Sequence, residues 1–349
     1  MNKLKTHAPK LATKLATKLA TKLATAISIS LLAFTAQADN QQNSASNGFH
    51  HDISAAYIDD NDNSDNTSVL AGYRYYLNTV DTDKGPLALN TFLAQSSNIG
   101  VNYIKSDLSE TTNYQIDGTY VFASKWFIGA NYQQINDDSD GWFYPYDESL
   151  YGINLGYYFN DTSSVSVFYQ NQSGSDNYQN PNADSQDWVM NANFDNQADI
   201  FGVNLQSYIP MESFSGINLF ASWQYRDSNN SNFSQLVAND NDPQRAFTNT
   251  NEQTMHHLYL AADFYINHAW SIGVNYAWQD VDGTFVIKNS LLPDDSVNHY
   301  SDSFNHYGVN TAYWWQLSQH FSAKFSVAKQ FNDELSDNLL LGIDINARF

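Results

Sequence analysis

The chain has 349 residues, no Cys, 7 Pro and 16 Gly, with aromatic and charged residues each at 15% and a mean hydropathy of -0.48. That is too aromatic for a disordered chain and too polar for a bundle of membrane helices. Past residue 40 no apolar run approaches the ~18 residues that a spanning helix needs, so a soluble domain or a β-barrel remains.

The formal net charge is -21. Six of the 16 basic residues (Lys3, Lys5, Lys10, Lys14, Lys18, Lys22) lie before Asp39 with no acid among them, so the rest of the chain carries -27. Such a surface repels nucleic acid. The absence of Cys removes disulfides and thiolate metal sites together.

Residues 1–38 read as a secretory signal peptide. A Lys-rich start, extended by a KLAT tetrad repeated from Lys10 to Thr25, leads into the apolar run Ala26 to Phe34. Ala36-Gln37-Ala38 then supplies the small-residue cleavage pattern, so the mature domain is expected to be 39–349. The run is too short for a stop-transfer anchor, and the chain is expected to cross the inner membrane completely.

From residue 48 onward apolar and polar residues alternate with period two, the pattern of strands with one apolar face. Tyr151, Ile153, Leu155, Tyr157 and Phe159 interleave with Gly152, Asn154, Gly156, Tyr158 and Asn160. The alternation predicts strands over 48–58, 67–78, 96–106, 111–122, 125–135, 148–160 and 163–172. It predicts seven more over 196–209, 215–226, 253–266, 269–280, 301–317, 320–331 and 338–349.

Tight turns (Ala123-Ser124, Asn160 to Thr162, Asn267-His268, Ser318-Gln319) alternate with long segments (136–147, 173–195, 227–252, 281–300). An even-stranded outer-membrane barrel has this alternation, with short turns in the periplasm and long loops outside. Residues 79–95 break it, and Pro86 at a helix start predicts a periplasmic excursion with a short helix. Residues 187–194 could add strand within a loop, which keeps a sixteen-stranded alternative open.

The fold expected is therefore all-β: a transmembrane antiparallel up-and-down barrel of about 14 strands. Aromatics decide for a membrane barrel over a soluble sandwich, because they gather at strand ends. Trp126, Phe127, Tyr157 to Phe159, Tyr208, Phe264, Tyr265, Trp270, Trp314, Trp315, Phe321 and the terminal Phe349 flank the turns as one girdle. Tyr57, Tyr103, Tyr114, Tyr132, Tyr225 and Trp278 would form the second. Closure removes every unpaired edge, as hydrocarbon demands.

The signal peptide, the strand count and a last strand, Leu339 to Phe349, that alternates and ends in Phe together make the chain resemble the Gram-negative outer-membrane barrels. The resemblance implies insertion by the barrel-insertion machinery through the C-terminal strand. It also implies residence in outer-membrane lipid and lipopolysaccharide. More narrowly, Gly72-Tyr73-Arg74-Tyr75-Tyr76, then Gly85-Pro86-Leu87-Ala88 and Phe92-Leu93, is similar to a family of porins from marine gammaproteobacteria. Leu89 stands where that pattern usually has an acid.

A barrel of about 14 strands is wider than its side chains can fill, so an aqueous pore for passive diffusion of ions and small hydrophilic solutes is expected, with no cofactor. Alternation puts Arg74, Arg226, Lys324 and Arg348 inside with Asp52, Asp117, Asp263 and Asp344, in opposed rings that would give a transverse field. Inward Tyr76, Tyr158, Phe168, Tyr208, Phe220, Tyr259 and Tyr265 could make a sugar slide. The 227–252 segment is the longest candidate for a constriction.

Loop acids (Asp59, Asp60, Asp62, Asp65, Asp137, Asp138, Asp140, Asp147, Glu148, Asp294, Asp295) form an acidic surface that can hold divalent cations and favours cations at low salt. A substrate-specific channel for sugars or apolar solutes is the alternative, although only Asp39 to Asn47 is available ahead of the first strand for a plug. A barrel hydrolase is the remaining one: His256 and His257 lie at the outer end of their strand and His306 and Asn310 share a face four residues apart, with no Ser or Asp placed beside them and no hydrolase motif.

Overall fold

The computed structural model describes residues 48–60, 67–107, 110–137, 147–183, 188–237, 245–290, 294–332 and 338–349. The expected signal peptide lies outside them, as do Asp62, Asp65, Asp138 and Asp140.

Fourteen antiparallel strands close on themselves, each bonded to its neighbours in sequence. They are β1 (Gly48–Asp60), β2 (Thr67–Asp81), β3 (Asn98–Ser106), β4 (Thr111–Val121), β5 (Trp126–Asp137), β6 (Glu148–Asn160) and β7 (Ser163–Ala183). Next come β8 (Trp188–Pro210), β9 (Gly216–Val237), β10 (Arg245–Tyr265), β11 (Trp270–Asn289), β12 (Ser296–Gln316), β13 (Phe321–Asn332) and β14 (Asn338–Arg348). Closure runs from Asp52↔Arg348 to Asp60↔Leu340. Beyond the last ladder pair, Phe349 donates to the His51 carbonyl and accepts from the amides of His50 and His51.

The expected strands all form, but β7 to β12 run 20 to 23 residues where β3 to β6 run 9 to 13. A spanning strand needs only about 10 residues at a ~45° tilt, so the outer halves of these six form a sheet standing clear of the bilayer band. Segments 173–195, 227–252 and 281–300, expected to be loops, are largely this sheet. Both its faces meet water, so no apolar alternation marks it.

Residues 188–194 begin β8, and the sixteen-stranded alternative is overturned. Of the expected 227–252 constriction, residues 238–244 lie outside the described residues, and its flanks are corrected. Asn229 to Leu236 pair with β8 on one side and β10 on the other, and a strand bonded on both sides is wall. At the border of the projecting sheet the β6–β7 ladder ends at Glu148↔Gly174. The strand beyond it carries Pro181 and a register shift between Asn180 and Ala183, which blunt edge pairing.

The excursion after β2 holds a 3-10 turn (Leu87–Leu89) and a one-turn helix, α1 (Asn90–Leu93), entered at Pro86 as expected. It shares one end of the barrel with both described termini and the short turns.

Candidate functional site: the inner wall and its turn end

Period two sorts every strand onto two faces. On β2, Tyr73 and Tyr75 point outward while Arg74 and buried Tyr76 point inward. On the outer surface near the turn end Trp126 is 48% exposed, Trp270 40%, Trp315 54% and Phe321 37%. Trp126 packs on Tyr157 at 5.2 Å between centroids, and Trp270 Nε1 donates to Thr311 Oγ1 at 2.9 Å. Phe349 stacks on His320 at 5.2 Å beside the closing seam. Five residues expected in this girdle face inward instead: Phe127, Tyr208, Tyr265 and Trp314 are buried there, and Tyr158 packs on Phe127. At the other end cross-strand pairs Tyr103–Tyr114, Tyr132–Tyr151 and Phe201–Tyr225 line the outside, whereas Tyr57 is 3% exposed and donates to Asp59.

Inside, seven of the eight expected charges lie within a few residues of the turn end. Six of them form a ladder along one stretch of wall from β13 through β14 and β1 to β4. Lys324 Nζ is 3.7 Å from Asp344 and Arg348 Nε 3.2 Å from Asp52. Arg74 grips Asp117 with both terminal nitrogens, at 2.7 and 2.8 Å, and also donates to Asn98. Asp52 lies opposite Arg74 in the β1–β2 ladder, so signs alternate along the row of six. Arg348 covers the rings of Phe49 at 4.9 Å and Trp314 at 5.3 Å, and Lys324 covers Trp314 at 5.5 Å.

The charges are thus paired sideways along the wall rather than opposed across the lumen, because neighbouring inward positions on adjacent strands are the closest partners available. Asp263, far round the ring on β10, accepts from Asn218 Nδ2 at 3.5 Å and forms no ion pair among the described residues. Gly100 lets the Arg74 guanidinium lie flat against the wall: a Cβ there would sit 2.7 Å from it.

The excursion between β2 and β3 crosses the mouth of the barrel. Its roots are tied locally, Leu77 N to Ser97 O and Val121 N to Ser97 Oγ, both at 2.8 Å. Its middle reaches strands on the far side of the ring. Leu87 N donates to His268 O at 2.9 Å, His268 Nδ1 donates to Gly85 O at 3.0 Å, and Gln95 Nε2 to Asn160 O at 2.8 Å. Leu89 and Leu93 pack with Tyr208 of β8 and Tyr265 of β10, with Phe92 alongside. The segment is a strap over the turn end.

A family model described as "Putative general bacterial porin" matches residues 13–349. The chain belongs to this porin family. It is a channel-forming barrel of the outer membrane, so the turn end faces the periplasm. Among solved structures it is similar to the outer membrane protein Omp33 of Acinetobacter baumannii, at 16% identity over 87% of this chain and 100% of that one, with a TM-score of 0.46. It is also similar to the open form of the ferric-catecholate import receptor Fiu of E. coli K12, at 8% identity over 83% and 55% with a TM-score of 0.43. The translocator domain of the autotransporter NalP of Neisseria meningitidis matches at 8% identity over 97% and 98%, TM-score 0.37. No curated protein matches.

Higher in the porin's lumen Arg226 Nη1 donates to Gln172 Oε1 at 2.9 Å, while Gln172 and Asn196 both donate to Glu148. Glu148, expected in a loop, opens β6 and points inward. Its even spacing from Leu150 and Gly152 was the signal for that. Asp59 and Asp60, also expected as loop acids, are buried at the outer end of β1. Asp137 ends β5, and Asp295 lies 3.6 Å from Lys288. No group of three potential metal ligands occurs among the described residues.

The inward aromatics are paired rather than strung along the pore. Tyr158 meets Phe127 at 4.8 Å and Phe92 of the strap at 6.4 Å, Phe220 meets Tyr259 at 6.1 Å, Tyr76 meets Phe49 at 5.8 Å and Phe168 lies over Gly202. His256 stacks outward on Trp223 at 5.9 Å, and inward Asn310 lies against Gly273.

Proposed function

We propose that this porin passes small hydrophilic solutes and ions by passive diffusion, with no chemical step. The mature domain would be 39–349, exported by the 1–38 signal peptide, inserted through its last strand and surrounded by lipopolysaccharide. Trp126, Trp270, Trp315, Phe321 and Phe349 would sit at the periplasmic interface as amphipathic anchors.

The single observation that carries the reading is the inner wall of the turn end, where three cations and three carboxylates are laterally paired and leave Asp263 as the uncompensated charge. Laterally paired charges hydrate a wall and cancel most of their own field, which suits a general pore better than a binding site. Arg74, Arg226, Lys324, Arg348, Asp52, Asp117, Asp263 and Asp344 would then be pore-lining. The acid excess of the mature chain would enrich cations at the mouths, and the enrichment would fade as the Debye length shrinks from ~10 Å at 0.1 M to ~3 Å at 1 M salt.

Proteoliposome swelling with a graded series of sugars tests this. Rates that fall smoothly with solute size and rise linearly with concentration are expected. Saturation by one sugar would replace the general pore with a substrate-specific channel.

A further inference from the structure

The strap carries two opposing features. Leu89 and Leu93 are 6% and 5% exposed against Tyr208 and Tyr265, and burying that apolar surface drives the strap onto the far wall. Between them in sequence, Asn90 is fully buried, and neither its Oδ1 nor its Nδ2 has a hydrogen-bond partner among the described residues. A buried amide without partners opposes the seating that buries it. Released strap also has room: a cavity of about 630 Å³ separates Leu87 and Asp83 from Trp314, Arg348 and Phe49. The roots beside Ser97 and Val80 belong to the wall and are independent of the far contacts.

We propose that the 82–97 strap is the periplasmic gate of the pore. It is seated by Leu89 and Leu93 on Tyr208 and Tyr265, and the amide of Asn90 keeps the seated state shallow enough to release. The proposal rests on the porin reading and adds to it where the permeation path is controlled. A solute leaving the lumen passes the strap, so strap position sets both the size limit and the conductance at this end.

The test uses the mature chain in planar bilayers, its folding checked by heat-modifiable gel migration. Asn90→Ala removes the penalty and is expected to shift the closed-to-open ratio roughly tenfold toward closed. Leu89→Ser with Leu93→Ser weakens the seat and shifts the ratio the opposite way. The chain has no Cys, so Leu87→Cys with His268→Cys places a single cross-link where their backbones already bond. Oxidation is expected to hold the low level and reductant to restore the high one. Channels with wild-type dwell times in all three variants, cross-link confirmed, would overturn the gate and leave the porin standing. Folded wild-type protein that forms no channel would instead overturn the porin reading beneath it.

Discussion

Arg348 Nε lies 3.2 Å from Asp52 Oδ2, joining the last strand to the first across 296 positions of sequence. Each side chain is 13% exposed, and Asp52 Oδ1 is buried without a hydrogen-bond partner among the described residues. The pair therefore sits on the seam that turns a sheet into a barrel. Arg348→Ala would strand the Asp52 carboxylate and remove a cation from the faces of Phe49 and Trp314. A loss of about 1.5–3 kcal/mol is expected, read as a lower urea midpoint in lipid. Adding Asp52→Asn should recover part of it, and a midpoint equal to wild type in the single variant would contradict this account of the seam.

Arg74 compensates Asp117 directly and faces Asp52 in register. Arg74→Gln keeps a donor for Asn98 and leaves two acids with less compensation. A residual carboxylate field across ~8 Å of water is worth ~0.5 kcal/mol, so cation over anion permeability should rise about twofold at low salt. Reversal potentials under a salt gradient measure it, and the increase should vanish near 1 M.

The Lys125 ammonium of the β4–β5 turn, 2.9 Å from Asp161 in the β6–β7 turn, holds that carboxyl below its ordinary value. With a folded value below the unfolded one, the contribution is present at neutral pH and is lost as pH falls through the depressed value. Both groups are well exposed, so no measurable change in stability should accompany Lys125→Ala. The Asp161 carboxyl should nonetheless titrate at higher pH in that variant, as seen by NMR of its side-chain carbon.

Deleting 230–248 would join Asn229 to Asn249 and leave a short turn above the Asn229↔Glu252 pair. Because the described flanks, Asn229 to Leu236 and Phe247 to Asn249, are bonded on both sides as wall, single-channel conductance should be unchanged. A large increase would mean that the hairpin tip reaches into the lumen.

How much could be read in advance follows from where water is. Where one face of a strand meets lipid and the other the lumen, as in Tyr151 to Phe159, the alternation is sharp and the strands were legible. In Asp227 to Val237 both faces are wet, and Asn and Ser erase the period although the ladder continues. Pro86 signalled the short helix, but its landing on Tyr208 and Tyr265 depends on barrel closure, which no local pattern encodes. Inward parity was likewise legible for Asp52, Arg74 and Asp117. Their lateral pairing was not, since it follows from register between strands 43 to 296 residues apart.

The porin is an open aqueous pore with a largely self-compensated wall and an acidic surface on this proposal. Single-channel recording of the refolded mature chain, with reversal potential measured under a salt gradient, tests it most directly. The account predicts stepwise ohmic currents with a cation preference that fades as salt rises. Folded barrels that pass no current, or an anion preference persisting at high salt, would contradict it.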